Sequence, residues 1–390
     1  MNSFELKEFF VKTFNREDCT VFSAPGRTEI AGNHTDHQNG KVLTAAVDLK
    51  CFAAAAKSDG NTVRIKSEGY KYFEMDVSSL DVKESEKGTS AALIRGILSG
   101  FKENGIDIGG FDAYVTSMVP AGSGLSSSAA FEVLICAVVN HFFADDKIGK
   151  TDIAKISQTA ECNYFGKPCG LLDQMACSLG GCNYIDFCVP ETPLVKSVDF
   201  SVKGYTLCVV NTGGSHSDLT NDYADITLEN AEVSEFFSAE KLNQVDEKVF
   251  YENVAELRKK CGERAVLRAI HFFEEQKRVE ELYYALKSGN TDKFLSLVNE
   301  SGISSQNLLQ NYYSAVSPKI QPITLCVELS KRYLRGKGAV RIHGGGFAGT
   351  VQCYVPDDML DGYIKFTEDV FGKDSVIKLS IINDGGTVLI

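Results

Sequence analysis

The chain of 390 residues contains no tryptophan, so no indole platform is available for stacking a ring. No stretch approaches the roughly 20 apolar residues that a membrane helix needs, which argues against a spanning segment and a membrane partner. Nor is there a basic stripe. The net charge is −12, which argues against nucleic acid as the main partner. No internal repeat and no low-complexity run is present, so the chain is expected to fold throughout. The twelve cysteines include no Cys-x-x-Cys pair. Most sit in apolar runs, as do Cys136, Cys208 and Cys353, so buried reduced thiols fit better than disulfides. The first residues, Met1 to Phe10, read as an amphipathic helix and lack the apolar segment of a secretory signal, so the expected compartment is the cytoplasm.

What is present suffices for one large or two ordinary domains, since 44% of the residues are apolar. Periodicity predicts helices over about 4–14, 89–104, 126–142, 151–163, 246–286 and 319–335. Strands are predicted near 20–24, 41–56, 62–67, 115–118, 205–211, 338–342 and 350–355. Strands and helices that run in blocks, not in strict alternation, indicate an α+β fold. A boundary is expected near residue 200, giving domains 1–200 and 201–390, although no Pro/Gly linker marks it.

The segment richest in chemistry is Pro120-Ala-Gly-Ser-Gly-Leu-Ser-Ser-Ser-Ala-Ala130. A loop of Gly and Ser that opens a helix offers unpaired N–H groups and the positive end of the helix dipole to an anion. Gly122 and Gly124 allow close backbone approach, and Ser123, Leu125, Ser126, Ser127 and Ser128 complete the cradle. No lysine follows Gly124, so this is not a Walker-type loop. A helix cap with extra serines would read the same way if the loop stood alone.

It does not stand alone. Upstream lies Ala24-Pro-Gly-Arg-Thr-Glu-Ile-Ala-Gly-Asn-His-Thr-Asp-His-Gln-Asn-Gly40. Downstream are Cys169-Gly-Leu-Leu-Asp-Gln174 and Gly344-Gly-Gly-Phe-Ala-Gly349. Four such blocks in this order resemble the GHMP small-molecule kinases, and within them the galactokinases, from about residue 4 to 390. The resemblance implies a two-lobed fold with mixed sheets and an active site in the cleft between lobes. It implies ATP as co-substrate, Mg²⁺ as cofactor, and phosphorylation of a sugar at its anomeric C1 hydroxyl.

Residue roles are implied by the same resemblance. Asp173 matches the catalytic aspartate, which orients the hydroxyl or takes its proton, and Arg27 matches the catalytic arginine. Ser128 and Glu161 match the magnesium ligands, a sparse oxygen set that suits this ion. His34, Asp36, Gly170 and Tyr223 match the sugar site. Zinc binding by His34, Asp36 and His37 is a weaker reading, because four consecutive residues rarely reach one ion with good geometry. The closing glycines lack the βαβ unit and acidic residue of a dinucleotide fingerprint.

The pattern also departs from that of galactokinases. Asn33 stands where they have a glutamate that contacts the sugar's C6 hydroxyl, and Asp36-His37-Gln38 stands where they have Asp-Tyr-Asn. An amide tolerates a C6 carboxylate that a glutamate would repel. Galactose is therefore the leading expected substrate and galacturonate the alternative, as in plant galacturonate kinases. The tryptophan that stacks on adenine in some galactokinases is missing, with Ser90 near its place, so other apolar surface must hold the base. A non-catalytic sugar sensor is a further reading, but sensors tend to lose residues after the serine run, and Ser128-Ala129-Ala130 is intact.

Overall fold

The computed structural model describes residues 3–120, 122–214, 220–347 and 349–389. The first half runs α1 (Ser3–Phe14), β1 (Thr20–Ala31), β2 (Lys41–Lys57), β3 (Thr62–Ser67), β4 (Phe73–Asp76), α2 (Ser90–Glu103), β5 (Phe111–Ser117) and α3 (Ser127–Ala144). It continues through α4 (Lys150–Thr159), α5 (Leu172–Leu179), β6 (Cys182–Asp186) and β7 (Leu194–Val198). The second half has β8 (Tyr205–Asn211), α6 (Thr220–Phe236), α7 (Glu247–Glu252), α8 (Val254–Lys260), α9 (Glu263–Lys287) and α10 (Thr291–Ser304). It ends with α11 (Pro322–Leu334), β9 (Ala339–His343), β10 (Thr350–Pro356), α12 (Leu360–Phe371), β11 (Val376–Leu379) and β12 (Thr387–Val388). The α+β expectation holds.

Two sheets carry the molecule. The larger runs β12-β1-β2-β5-β3-β4, with β6 also on β2 and β7 on β6. All its pairs are antiparallel except β3 with β5. The long β2 is its spine, pairing residues 41–45 with β6 and 51–57 with β5. The smaller sheet is antiparallel, ordered β11-β8-β10-β9. The sheets divide near residue 200, yet β12 returns to pair with β1, and the main core mixes residues of both halves, among them Phe22, Val133, Leu207, Leu282 and Tyr354.

Three local departures from the sequence reading have physical causes. The helix expected over 246–286 is broken twice, at Asn253 and at Gly262, whose φ of 84° a continuing helix cannot use. The helix expected to 163 loosens after Thr159 into a π-helical turn, Ala160–Phe165. Such turns insert a residue, re-aim the chain beyond them, and are frequent at functional sites. Here α2 comes so close that a Cβ on Gly96 would lie 2.8 Å from the Ala160 Cα, which pins the turn beside the core. Finally, α3 is long and apolar enough to resemble a membrane span, but about two thirds of it is buried in the core.

Candidate active site

The head of α3 meets β1, the π-turn and α5 at one point. Arg27 sits on β1 just past a register shift at Pro25/Arg27. The strand and the serine loop touch there: the Arg27 N–H donates to the Leu125 carbonyl at 3.1 Å, and a Cβ on Gly26 would stand 2.8 Å from that oxygen. Arg27 is buried, and its guanidinium donates through Nε to Asp173 Oδ1 at 2.7 Å and through Nη1 to the Gly124 carbonyl at 2.5 Å. Asp173 lies in the first turn of α5, and its Oδ2 accepts from Ser126 Oγ at 2.5 Å. Burial pushes the Asp173 carboxyl up, but Arg27 and Ser126 outweigh it and hold the group below its ordinary value. The side chain remains 37% exposed, so its carboxylate can be reached from solvent. Arg27 and Asp173, 146 residues apart in the chain, thus form an ion pair.

The serine loop divides its labour differently from the expectation. Ser123 is buried, and its hydroxyl donates to the Pro120 carbonyl at 2.6 Å, closing a turn. Leu125 packs into the core. Ser126 holds φ 58°, ψ 57°, a left-handed conformation unusual for a residue with a Cβ, and spends its hydroxyl on Asp173. Ser127 and Ser128, in the first turn of α3, are half-buried. The side chains of Ser123, Leu125 and Ser126 therefore build the loop and do not face a ligand. Of the loop's two glycines, Gly122 has open space beside it, whereas Gly124 lies against Thr350 and gives its carbonyl to Arg27.

A group of oxygens lies beside it. Ser128 Oγ donates to Glu161 Oε1 at 3.3 Å, so the two expected metal ligands are neighbours. Gln174 Nε2 bridges Glu161 Oε2 at 2.8 Å and Glu132 Oε2 at 3.1 Å. Glu132 is fully buried, and its Oε1 has no partner. Burial, and then Glu161, raises the Glu132 carboxyl well above its ordinary value. Lys167 Nζ stands 2.9 Å from Glu161 Oε1. Hydroxyl and carboxylate oxygens are the ligands a hard divalent cation takes. No cluster of three or more His, Cys, Asp or Glu suited to a metal occurs among the described residues, so the zinc reading of His34, Asp36 and His37 has no support. The sequence reading missed Glu132, Lys167 and Gln174. Two signals were there: Glu132 is the only charge in the apolar run 129–139, and Lys167 the only charge between Glu161 and Asp173.

On the other side, the closing glycines act as a hub. His34, at φ 59°, donates from Nε2 to the Gly345 carbonyl at 2.8 Å. Burial, with a smaller push from His37, lowers its imidazole to about 3, so it stays neutral and keeps Nδ1 as an acceptor. The Tyr223 hydroxyl donates to the Gly346 carbonyl at 2.8 Å, and its ring lies where a Cβ on Gly345 would come within 2.5 Å. Asp36 lies against Gly170, where any Cβ would collide with Oδ2. Of the residues expected at the sugar site, His34 and Tyr223 thus meet the Gly345 and Gly346 carbonyls and Asp36 meets Gly170; Ala348 lies outside the described residues.

Asn33 corrects the sequence reading. It is fully buried. Its Nδ2 donates to Glu29 Oε1 at 3.0 Å and to the Gly344 carbonyl at 2.8 Å, and its Oδ1 accepts from Asn311 at 2.8 Å and Ser305 at 3.3 Å. An amide has two donors and one acceptor oxygen, and all are used inside the protein. Asn33 is a strut behind the closing loop, not a reader of the C6 substituent, so the argument from Asn33 to an acidic sugar falls.

Residues 8–57 match the galactokinase galactose-binding signature, and residues 92–181 match the GHMP kinases N terminal domain. A galactokinase of Glaesserella parasuis is 30% identical over 377 residues, covering 92% of this chain and 91% of its own. A galactokinase of Clostridium tetani is 28% identical, covering 96% and 93%. The fold matches that of Lactococcus lactis galactokinase, solved with galactose, at a TM-score of 0.87 over 99% of both chains and 22% identity.

Proposed function

The chain belongs to the galactokinase family of GHMP kinases, and from that premise we propose that it phosphorylates the C1 hydroxyl of galactose with ATP and Mg²⁺. The observation that carries the mechanism is the Arg27–Asp173–Ser126 triangle at the head of α3. The relatives found are galactokinases and Asn33 is spent internally, so nothing supports galacturonate.

The backbone of Gly122 to Ser128 and the α3 dipole hold the nucleotide phosphates. Ser128 and Glu161 fit Mg²⁺, with Gln174 orienting the glutamate. When bound there, the ion neutralises charge on the phosphates. His34, Asp36, Gly170 and Tyr223 hold the sugar, with C1 toward Asp173. The C1 oxygen forms a bond to the γ-phosphorus, the bond from that phosphorus to the β,γ-bridging oxygen breaks, and ADP leaves. Asp173, held below its ordinary value, is a weak base. It orients the hydroxyl and receives the proton late, as the new P–O bond forms. Arg27 steadies the carboxylate and offsets charge on the transferring group.

The test is ADP release with Mg·ATP across galactose, galacturonate, arabinose, glucuronate and N-acetylgalactosamine. Galactose should give the highest kcat/KM; a preference for either uronate overturns the reading. Asp173→Asn should lower kcat about 10²–10⁴-fold with the Kd for ATP nearly unchanged. Arg27→Lys should not restore full activity, because lysine lacks the planar fork. An Asp173→Asn enzyme with more than about a tenth of wild-type kcat would remove that residue from the chemistry.

A further inference from the structure

Lys167 is a cation beside the site that the mechanism above does not use. Its backbone N–H donates to the Glu161 carbonyl at 3.1 Å, as does that of Gly166, whose φ of 88° closes the π-turn. The loop therefore folds back over Glu161, and the side chain goes with it, placing Nζ on the same carboxylate oxygen that accepts from Ser128. The two ends of this ion pair differ. The Glu161 side chain is 4% exposed and that of Lys167 is 61% exposed, so the ammonium lies on the open side. From there its charge acts on Asp173, Glu132 and Tyr223.

This is the place of an exchangeable cation. The ammonium end of the pair is open to water, and Ser128 and Gln174 remain on the buried carboxylate, so the ammonium can turn from Glu161 to a second anion. A nucleoside triphosphate brings three to four negative charges, by its ordinary chemistry, and one divalent ion leaves part of that unmet. Arg27, which offsets charge on the transferring group, is shared with Asp173 and the Gly124 carbonyl and so meets only part of that charge. Lysine is a flexible point charge, suited to track a phosphate group.

We propose that Lys167 is a phosphate-binding residue of the nucleotide site, its ammonium leaving Glu161 to meet the terminal phosphates of bound ATP. The proposal rests on the kinase reading of the site. Calorimetric titration of wild type, Lys167→Ala, Lys167→Gln and Lys167→Arg with ATP in EDTA, with Mg·ATP and with galactose separates the two. Lys167→Ala and Lys167→Gln should weaken ATP about tenfold or more with and without Mg²⁺, the size of one lost charge-assisted contact. Lys167→Arg should stay within about threefold, galactose affinity should not move, and the dependence of log Kd on log salt should flatten in the neutral variants. If both neutral variants bind ATP within about twofold of wild type, Lys167 is only a partner of Glu161 and the proposal is overturned. A wild type that binds neither ATP nor galactose overturns the kinase reading itself. Should Lys167→Ala fail to fold, the Gln and Arg variants decide the matter.

Discussion

Ser126 shows how one residue can carry both strain and function. Its left-handed backbone costs about 1 kcal/mol or more, and its hydroxyl anchors one oxygen of Asp173. The two effects separate by substitution. Ser126→Gly relieves the backbone and loses the hydroxyl, whereas Ser126→Ala loses the hydroxyl and keeps the strain. Both variants should lose a similar factor in kcat. The glycine variant should be more stable than the alanine variant by about 1 kcal/mol in urea unfolding. Equal stabilities would mean that the φ of 58° stores no strain. Among neighbouring residues, Cys162 and Cys169 are free thiols 3.7 Å apart, and the contact lowers the Cys162 thiol while raising that of Cys169.

At the scale of elements, the site is made where short irregular pieces meet regular ones. The π-turn presents Glu161 to the head of α3, and the loop between β9 and β10 ties β1 to α6. In that loop Gly345 is the point of contact, because the Tyr223 ring occupies the space a side chain would need. Gly345→Ala should push Tyr223 aside and loosen the Gly346 contact. The expected result is a KM for galactose raised about tenfold or more with the Kd for ATP unchanged. A KM within twofold of wild type would show that the loop can absorb the methyl group without disturbing the sugar side. β1, β2, β3, β5, β8, β9, β10 and α3 were legible in the sequence, since apolar runs and strand periodicity arise from burial alone, whereas the short strands β4, β6, β7, β11 and β12 carry too few residues to show a period. The π-turn, α5 and α6 were not, because their residues are placed by tertiary neighbours such as Gly96 and not by their own pattern.

For the whole molecule, buried titratable groups set the response to acid. His34, His271 and His343 are all lowered, chiefly by burial, and stay neutral in the folded state. The unfolded chain protonates them below about 6.5. It then binds more protons than the native state, so stability falls as pH drops from about 6.5 towards 5. Glu132 and Glu29 are raised by burial and act in the opposite sense, since the native state keeps protons that the unfolded chain releases above about 4.5. The net slope should lie between about 1 and 4 kcal/mol per pH unit on the acid side. Glu132→Gln removes one opposing group, so its loss of stability between pH 6.5 and 5 should be steeper than that of wild type. Thermal unfolding monitored from pH 8 to 5 checks this; a Tm that rises on acidification, or a Glu132→Gln curve parallel to wild type, would contradict it.

The sequence alone determined the class of fold and the family, and it singled out the serine loop, Arg27, Asp173, Glu161 and Ser128. Those residues belong to contiguous blocks whose glycines, serines and acids have few uses at such spacing, so local chemistry was enough. Tertiary structure alone decided which of their polar groups are satisfied inside the protein. Asn33 and Ser126 lie in the same blocks as His34 and Ser128, yet their polar groups are consumed by Gly344, Asn311 and Asp173, distant in the chain. Glu132 and Lys167 gained their meaning only when α3 and the π-turn met. A hydrogen bond satisfied within the protein is no longer available to a ligand, and which groups are satisfied depends on neighbours that only the folded chain brings together.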